Sequence, residues 1–319
     1  MTDLLQIVPY LLGFHPAESA VAVLLCGGQV LLTARSDLGP SVVRLASQLT
    51  QVARAHHADG VVLVAYTPSP LVAWQTLQPL VDDNRLPRVV DAVHVDRDRW
   101  WSLLHDTGPG GEPLDAGRLA AEAVFAGLSA VPNRSQAVAA AERPPPQRLT
   151  ELTADTERQL AHVSALASAQ RVDDAVRLVR AWIAAHGSVD AATGLTTPEL
   201  IRLGVLVRHV DARDAMIMLM DADNADALVA CWSAVVAVTE DRHQPGSLCL
   251  LGLAAWVSGS GALLVRCIER ADGCDPDYSL ARLLARIADQ AVPPSAWARL
   301  MEDLVPPATQ PTVRGQPTH

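Results

Sequence analysis

Residues 20–34 read AVAVLLCGGQVLLTA, and this stretch decides the fold. Ala20–Cys26 is apolar at every position, without the alternation of a strand that has one wet face. Such a run belongs at the centre of a sheet covered on both sides. Gly27-Gly28 then supplies the positive φ angles of a tight turn, and Val30–Ala34 returns as the hairpin partner. Further along, Pro40–His57 reads as a helix, with Val43, Leu45, Ala46, Leu49 and Val52 largely on one side. Val61–Tyr66 is a second buried strand, Leu71–Val81 a second helix, Val89–Val95 a third strand and Trp100–Leu104 a fourth. A loop over Thr107–Pro113 leads into a helix from Asp115 to Leu128. A hairpin beside strand–helix–strand units implies an α/β domain with a mixed sheet, placed at residues 1–142.

The texture changes at Arg143-Pro-Pro-Pro-Gln-Arg148. Three successive prolines favour extended geometry, so residues 143–149 are read as a linker. Everything after it is helical in pattern, giving an all-α domain of helical hairpins over 150–305. Gly187 is read as the stop of the Val172–His186 helix, and Thr196-Thr-Pro-Glu199 has the form of a capping box. The run from Gln244 to Val265 is uncharged and long enough to span a bilayer. It starts at a proline and is cut by Ser258-Gly-Ser-Gly261, so two short buried helices meeting at a turn are expected. Leu251, Gly252, Leu264, Ile268, Ala271 and Pro276 fall at tetratricopeptide offsets. The next copy fails at Glu302, so a bundle of helical hairpins is expected in place of a solenoid. Residues 306–319 are Pro/Thr-rich with little to bury and are read as a disordered tail.

Composition excludes several classes. All 25 basic residues are arginine, the net charge is -10 and the pI is near 5.4, so no basic stripe is available to displace counterions from nucleic acid. No block of like charge suits an anionic membrane surface. The N-terminus lacks a basic region before its apolar residues and carries Asp3, unlike a secretory signal. Five cysteines without a CxxC pair fit reduced thiols in a cytoplasmic protein, and no metal or cofactor site is assigned.

The chemical candidates begin at PYLLGFHPAESAV, residues 9–21. His15, Glu18 and Ser19 lie within five residues of one another, a His–carboxylate–hydroxyl set that invites a hydrolase reading. The nucleophile-elbow spacing G-x-S-x-G is absent. The plainer reading is a corner: Gly13 ends a helix, Pro16 fixes the backbone and Ser19 caps turn amides. Arg35 and Asp37, two apart at a strand end, share a face and suit either an anion or each other. His15, Glu18, Ser19, Arg35 and Asp37 together form the candidate pocket. Trp100 and Trp101 point to opposite faces of their strand; with Trp232, Trp256 and Trp297 they are the candidate interaction anchors. Asp221-Ala-Asp223-Asn224-Ala-Asp226 departs from a calcium loop at its fifth, sixth and twelfth positions and reads as a helix start.

The corner motif, Arg35-Ser-Asp37-Leu38, Arg99-Trp-Trp-Ser102, Arg213-Asp214, the segment AAWVSGSGALL and DPDYSLARLL from Asp275 occur in this order. As a set they resemble an actinobacterial family catalogued only as a domain of unknown function, over nearly the whole chain. The resemblance implies a cytoplasmic protein with no established activity. Cysteines that often follow Trp-Trp-Ser in that family are missing here, where the chain runs LLHDTGPGGEPL. The leading expectation is a non-enzymatic interaction or regulatory module that binds a protein partner or itself. The alternative is an enzyme or small-molecule sensor with its pocket at the corner.

Overall fold

A computed structural model gives the architecture. It describes residues 1–39, 41–114, 118–125, 128–186 and 194–304. The hairpin is formed by β1 (Ser19–Cys26) and β2 (Gln29–Asp37), with Gly27 and Gly28 at φ 57° and 78° in the turn. β1 also pairs antiparallel with β3 (Gly60–Tyr66), which makes it a central strand. From β3 the chain crosses through α3 (Pro70–Val81) to β4 (Arg88–Asp96), parallel to β3. β5 (Arg99–Ser102) and β6 (Glu112–Pro113) extend the sheet antiparallel, giving the order β2-β1-β3-β4-β5-β6. The mixed α/β sheet expected from the sequence is what forms.

The two-residue period of β1 explains its double burial. Val21 and Val23 join Val62, Val64, Val93 and Val95 beneath Leu5 and Val8 of α1 (Thr2–Leu12). Ala20, Ala22 and Leu24 join Val61, Leu63 and Ala65 beneath α3 and α2 (Ser41–Ala55). The fourth strand stops at Ser102, two residues short of the expected end. There the Ser102 hydroxyl accepts the amides of Leu104 and His105 and turns the chain out of the sheet. β6, only two residues long, carries no periodic signal and was not expected. Of the helix expected over 115–128, α4 (Arg118–Phe125) is seen, and residues 115–117, 126 and 127 lie outside the described residues. Pro40, the Gly187 helix stop and the 306–319 tail lie outside them as well.

The regular elements among the remaining described residues are helical: α5 (Arg134–Val138), α6 (Pro146–Ser164), α7 (Ser168–Ala185), α8 (Thr197–Leu206), α9 (Val210–Met218), α10 (Ala225–Val236), α11 (Pro245–Val257), α12 (Gly261–Cys274), α13 (Ser279–Asp289) and α14 (Ala296–Leu304). α6 starts inside the proline-rich segment, because Pro146 at the first helical turn has no amide to leave unpaired. At the expected capping box, Glu199 Oε2 accepts both the amide (2.9 Å) and the hydroxyl (2.8 Å) of Thr196. These bonds hold the Glu199 carboxyl below its usual range.

The uncharged run folds as the α11–α12 hairpin, with every residue of α11 buried. A Cβ on Gly252 would lie 3.0 Å from Cys267 Cβ, so glycine there sets how closely the two helices approach. No helix among the described residues is long and apolar enough to cross a membrane.

The sheet and helical parts touch along α2. Gln48 Nε2 donates to Asp289 Oδ1 at 3.5 Å, and His56 Nε2 donates to the Gln290 carbonyl at 3.2 Å. Arg266 of α12 pairs with Glu142, and Arg270 donates to the Ala141 carbonyl at 2.6 Å.

Candidate functional site

The corner is built as its residues dictate. Gly13 closes α1 in the left-handed conformation at φ 78°. The backbone of Gly13 and His15 then bonds both sides of Val131, at 2.9 and 3.0 Å. Pro16 and Ala17 carry the chain to Glu18, which sits at φ 43°, and Ser19 enters β1 opposite Tyr66 and Asp37. A cavity of about 350 Å³ opens here, lined among others by His15, Glu18, Tyr66, Thr67, Asp96 and Arg97. It lies at the carboxyl ends of the parallel strands β3 and β4, where open α/β sheets place their ligands.

Thr67 Oγ1 donates to Glu18 Oε2 at 3.3 Å, and buried His94 donates from Nε2 to the Thr67 carbonyl at 2.8 Å. Trp101 stacks on His94 at 5.2 Å. Two hydroxyls here are buried without a hydrogen-bond partner, those of Ser19 and Tyr66. Burial pushes the Tyr66 phenol well above its usual range. Ser19 is fully buried, which leaves its hydroxyl no route to a substrate, and no His–carboxylate–hydroxyl constellation forms around it.

Arg35 and Asp37 belong to a different space. Arg35 lines a cleft of about 650 Å³ between the sheet edge and the helical part. Its sheet-side wall is β2 and α2, with Leu32, Leu45, Leu49 and Val52. Its helical wall carries Trp256, Leu264, Val265 and Ile268 with the 285–294 segment. The Arg35 side chain is 16% exposed and pairs through Nη1 with Asp37 Oδ1 at 2.6 Å, while Asp37 is 77% exposed. Arg35 Nε is buried with no partner. The five candidate pocket residues are therefore divided: His15 and Glu18 in the corner cavity, Arg35 in the cleft with Asp37 at its side, and Ser19 packed inside.

The tryptophans are not exposed docking anchors. Trp232 is 0%, Trp256 5%, Trp297 8% and Trp100 8% exposed. Trp256 and Trp297 meet edge to face at 6.0 Å, with their indole N–H groups donating to the Val292 and Met220 carbonyls. Trp100 donates to Thr2 Oγ1, and Trp101 is half-buried beneath the Gly108–Gly111 loop, its Nε1 3.4 Å from the Pro109 carbonyl. Trp232, Trp256 and Trp297 belong to the helical core, and Trp100 to the core beneath α1.

Asp221 and Asn224 bond each other's amides and close the turn before α10, and no metal-holding group of His, Cys, Asp or Glu occurs among the described residues. Arg213 reaches from α9 to Tyr278, donating to its hydroxyl at 3.2 Å with the guanidinium 5.7 Å from the ring centre. Sequence reasoning missed Tyr66, Thr67, Asp96 and Arg97. Their signal was available, since each lies at or just beyond the end of a strand recognisable from its apolar run.

The chain belongs to the family described as Domain of unknown function (DUF4192), whose model matches residues 2–295. No curated protein and no solved structure matches it.

Proposed function

We propose that this protein is a non-enzymatic, cytoplasmic regulatory module that holds a small amphipathic molecule between its sheet and helical parts. The observation that carries this reading is the cleft of about 650 Å³ with apolar walls and one mostly buried arginine whose Nε has no partner. Its volume lies within the range of small-molecule sites, and such sites favour boundaries between structural units. The apolar body of the ligand would rest against Leu45, Leu49, Leu264 and Ile268, with a carboxylate accepting from Arg35. Gln48 and His56 bridge the two parts beside the cleft, so occupancy would bear on how α2 meets the 289–290 segment. Free thiols at Cys26, Cys231, Cys249, Cys267 and Cys274 support a reducing compartment. The state of the cleft would then be read by a protein partner or a second copy.

Native mass spectrometry of the protein purified gently from its own host tests this. A retained small mass, lost on denaturation and depleted in Arg35→Met, is the expected result. A bare wild-type chain, or a retained mass indifferent to Arg35, would overturn it. A second polypeptide at fixed stoichiometry would identify the partner.

A further inference from the structure

We propose that the corner cavity is a second, independent binding site, and that it takes a small zwitterion bearing a carboxylate and an ammonium group, as free amino acids do. Three observations converge on it. The cavity sits beyond the carboxyl ends of β3 and β4, the position at which open α/β sheets bind ligands. Two non-glycine residues on its lining, Glu18 at φ 43° and Arg97 at φ 54°, hold the left-handed backbone that side chains disfavour. Arg97 occupies the first central position of the two-residue turn between β4 and β5, where glycine is the ordinary solution. Strain retained by charged residues facing one cavity is a mark of a functional site rather than of folding economy.

The surroundings enforce that strain. Glu18 is fixed from behind by the His15–Val131 backbone bond and ahead by the pairing of Ser19 with Tyr66 and Asp37. Thr67 then takes Glu18 Oε2, which directs the carboxylate.

The charges define the ligand class. Glu18 and Asp96 both line the cavity, so a simple anion would be repelled. Arg97 lines it too, with a planar fork suited to a carboxylate, so a simple cation would meet a like charge. A molecule with both groups satisfies all three, and a volume of about 350 Å³ restricts it to a small one. A bound metal ion is a poorer occupant, since the acidic residues and His15 do not gather into a chelating group.

The experiment is a thermal-melting titration with a panel of free L-amino acids at millimolar concentration, with acetate and methylammonium as single-charge controls. At least one amino acid should raise the melting temperature of the wild type, and neither control should. Glu18→Gly and Arg97→Gly relieve the left-handed strain, so both should melt at or above the wild type and lose the ligand-induced rise. Should either glycine variant melt lower, Glu18→Asn and Arg97→Asn replace them, because asparagine tolerates that backbone. Arg35→Met should keep the full rise, which separates this site from the cleft. No rise with any amino acid, a rise of equal size with acetate, or a rise that survives loss of Arg97 would overturn the proposal.

Discussion

Replacing Arg35 with methionine should make the empty protein more stable. The side chain is 16% exposed, and its ion pair is to a carboxylate that is itself 77% exposed. A pair with one member so open to water contributes about 0–1 kcal/mol. Against this stands Nε, buried with no acceptor, a desolvated donor of the kind that costs about 1–3 kcal/mol. Methionine keeps an unbranched apolar stem against the cleft wall and removes the unpaired donor. The balance favours the variant by about 1 kcal/mol, equivalent to roughly 2–4 °C in melting temperature for a chain of this size. Asp37→Asn, which removes only the exposed partner, should stay within about 1 kcal/mol of wild type.

Urea denaturation of the ligand-free proteins measures the ordering directly. Addition of the retained ligand should then reverse it, since occupancy at a hundred times the dissociation constant stabilises wild type by about 2.7 kcal/mol and the methionine variant has lost its anchor. A methionine variant less stable than wild type by about 1 kcal/mol or more would refute the reasoning, because the guanidinium would then be a structural group whose bonds hold β2.

Gly246→Ala should be among the most damaging small substitutions. The added Cβ would lie 2.6 Å from the Val207 carbonyl oxygen and 3.2 Å from the Tyr278 hydroxyl, so backbone has to shift. Overpacking of about 1–3 kcal/mol or more outweighs a helix-propensity gain of about 1 kcal/mol, and a lowered urea midpoint checks it. His243 is buried with neither ring nitrogen bonded, and desolvation, reinforced by Arg208 and Arg242, lowers its pKa. The folded state therefore binds this proton less readily than the unfolded one. The associated stability is complete above the unfolded value of about 6.5 and is lost as pH falls through the depressed folded value. A His243→Met variant should lose stability less steeply below that pH, and parallel acid-denaturation curves for the two proteins would count against the assignment. Burial pushes the Cys231 and Cys249 thiols up to about 12, and Cys267 is also raised by burial. In native protein, a thiol reagent should modify exposed Cys26 rapidly and reach these three only on unfolding, as peptide mapping of the labelled protein would show.

The legible and illegible parts of this molecule divide along a physical line. β1, β3 and α11 could be read directly because each is specified by its own residues. An all-apolar run bounded by glycine or proline has few alternatives to burial. β6 and α5 could not be read. The first is a two-residue pairing created by β5, and the second a single capped turn on Asn133. The tryptophans show the same limit, because helical spacing alone cannot say whether an indole faces a core or a partner.

The candidate site falls on both sides of this line. The structure begins β1 one residue earlier than the apolar run, so Ser19 shares the face of Val21 and Val23 and its hydroxyl is buried. Arg35 lies on that same face, opposite Val21, yet it stands on the outermost strand. Whether an edge residue meets water or a wall depends on a surface supplied by Leu264, Val265 and Ile268, far along the chain. The corner cavity is the intermediate case. Its lining comes from the ends of three neighbouring strands and the turn before them, so the sheet order was the missing piece. Once β1 is known to lie beside β3 and β3 beside β4, Glu18, Tyr66 and Arg97 are brought to one end of the sheet by register alone. Backbone strain at two of those residues, Glu18 and Arg97, is the one property that no residue pattern announces.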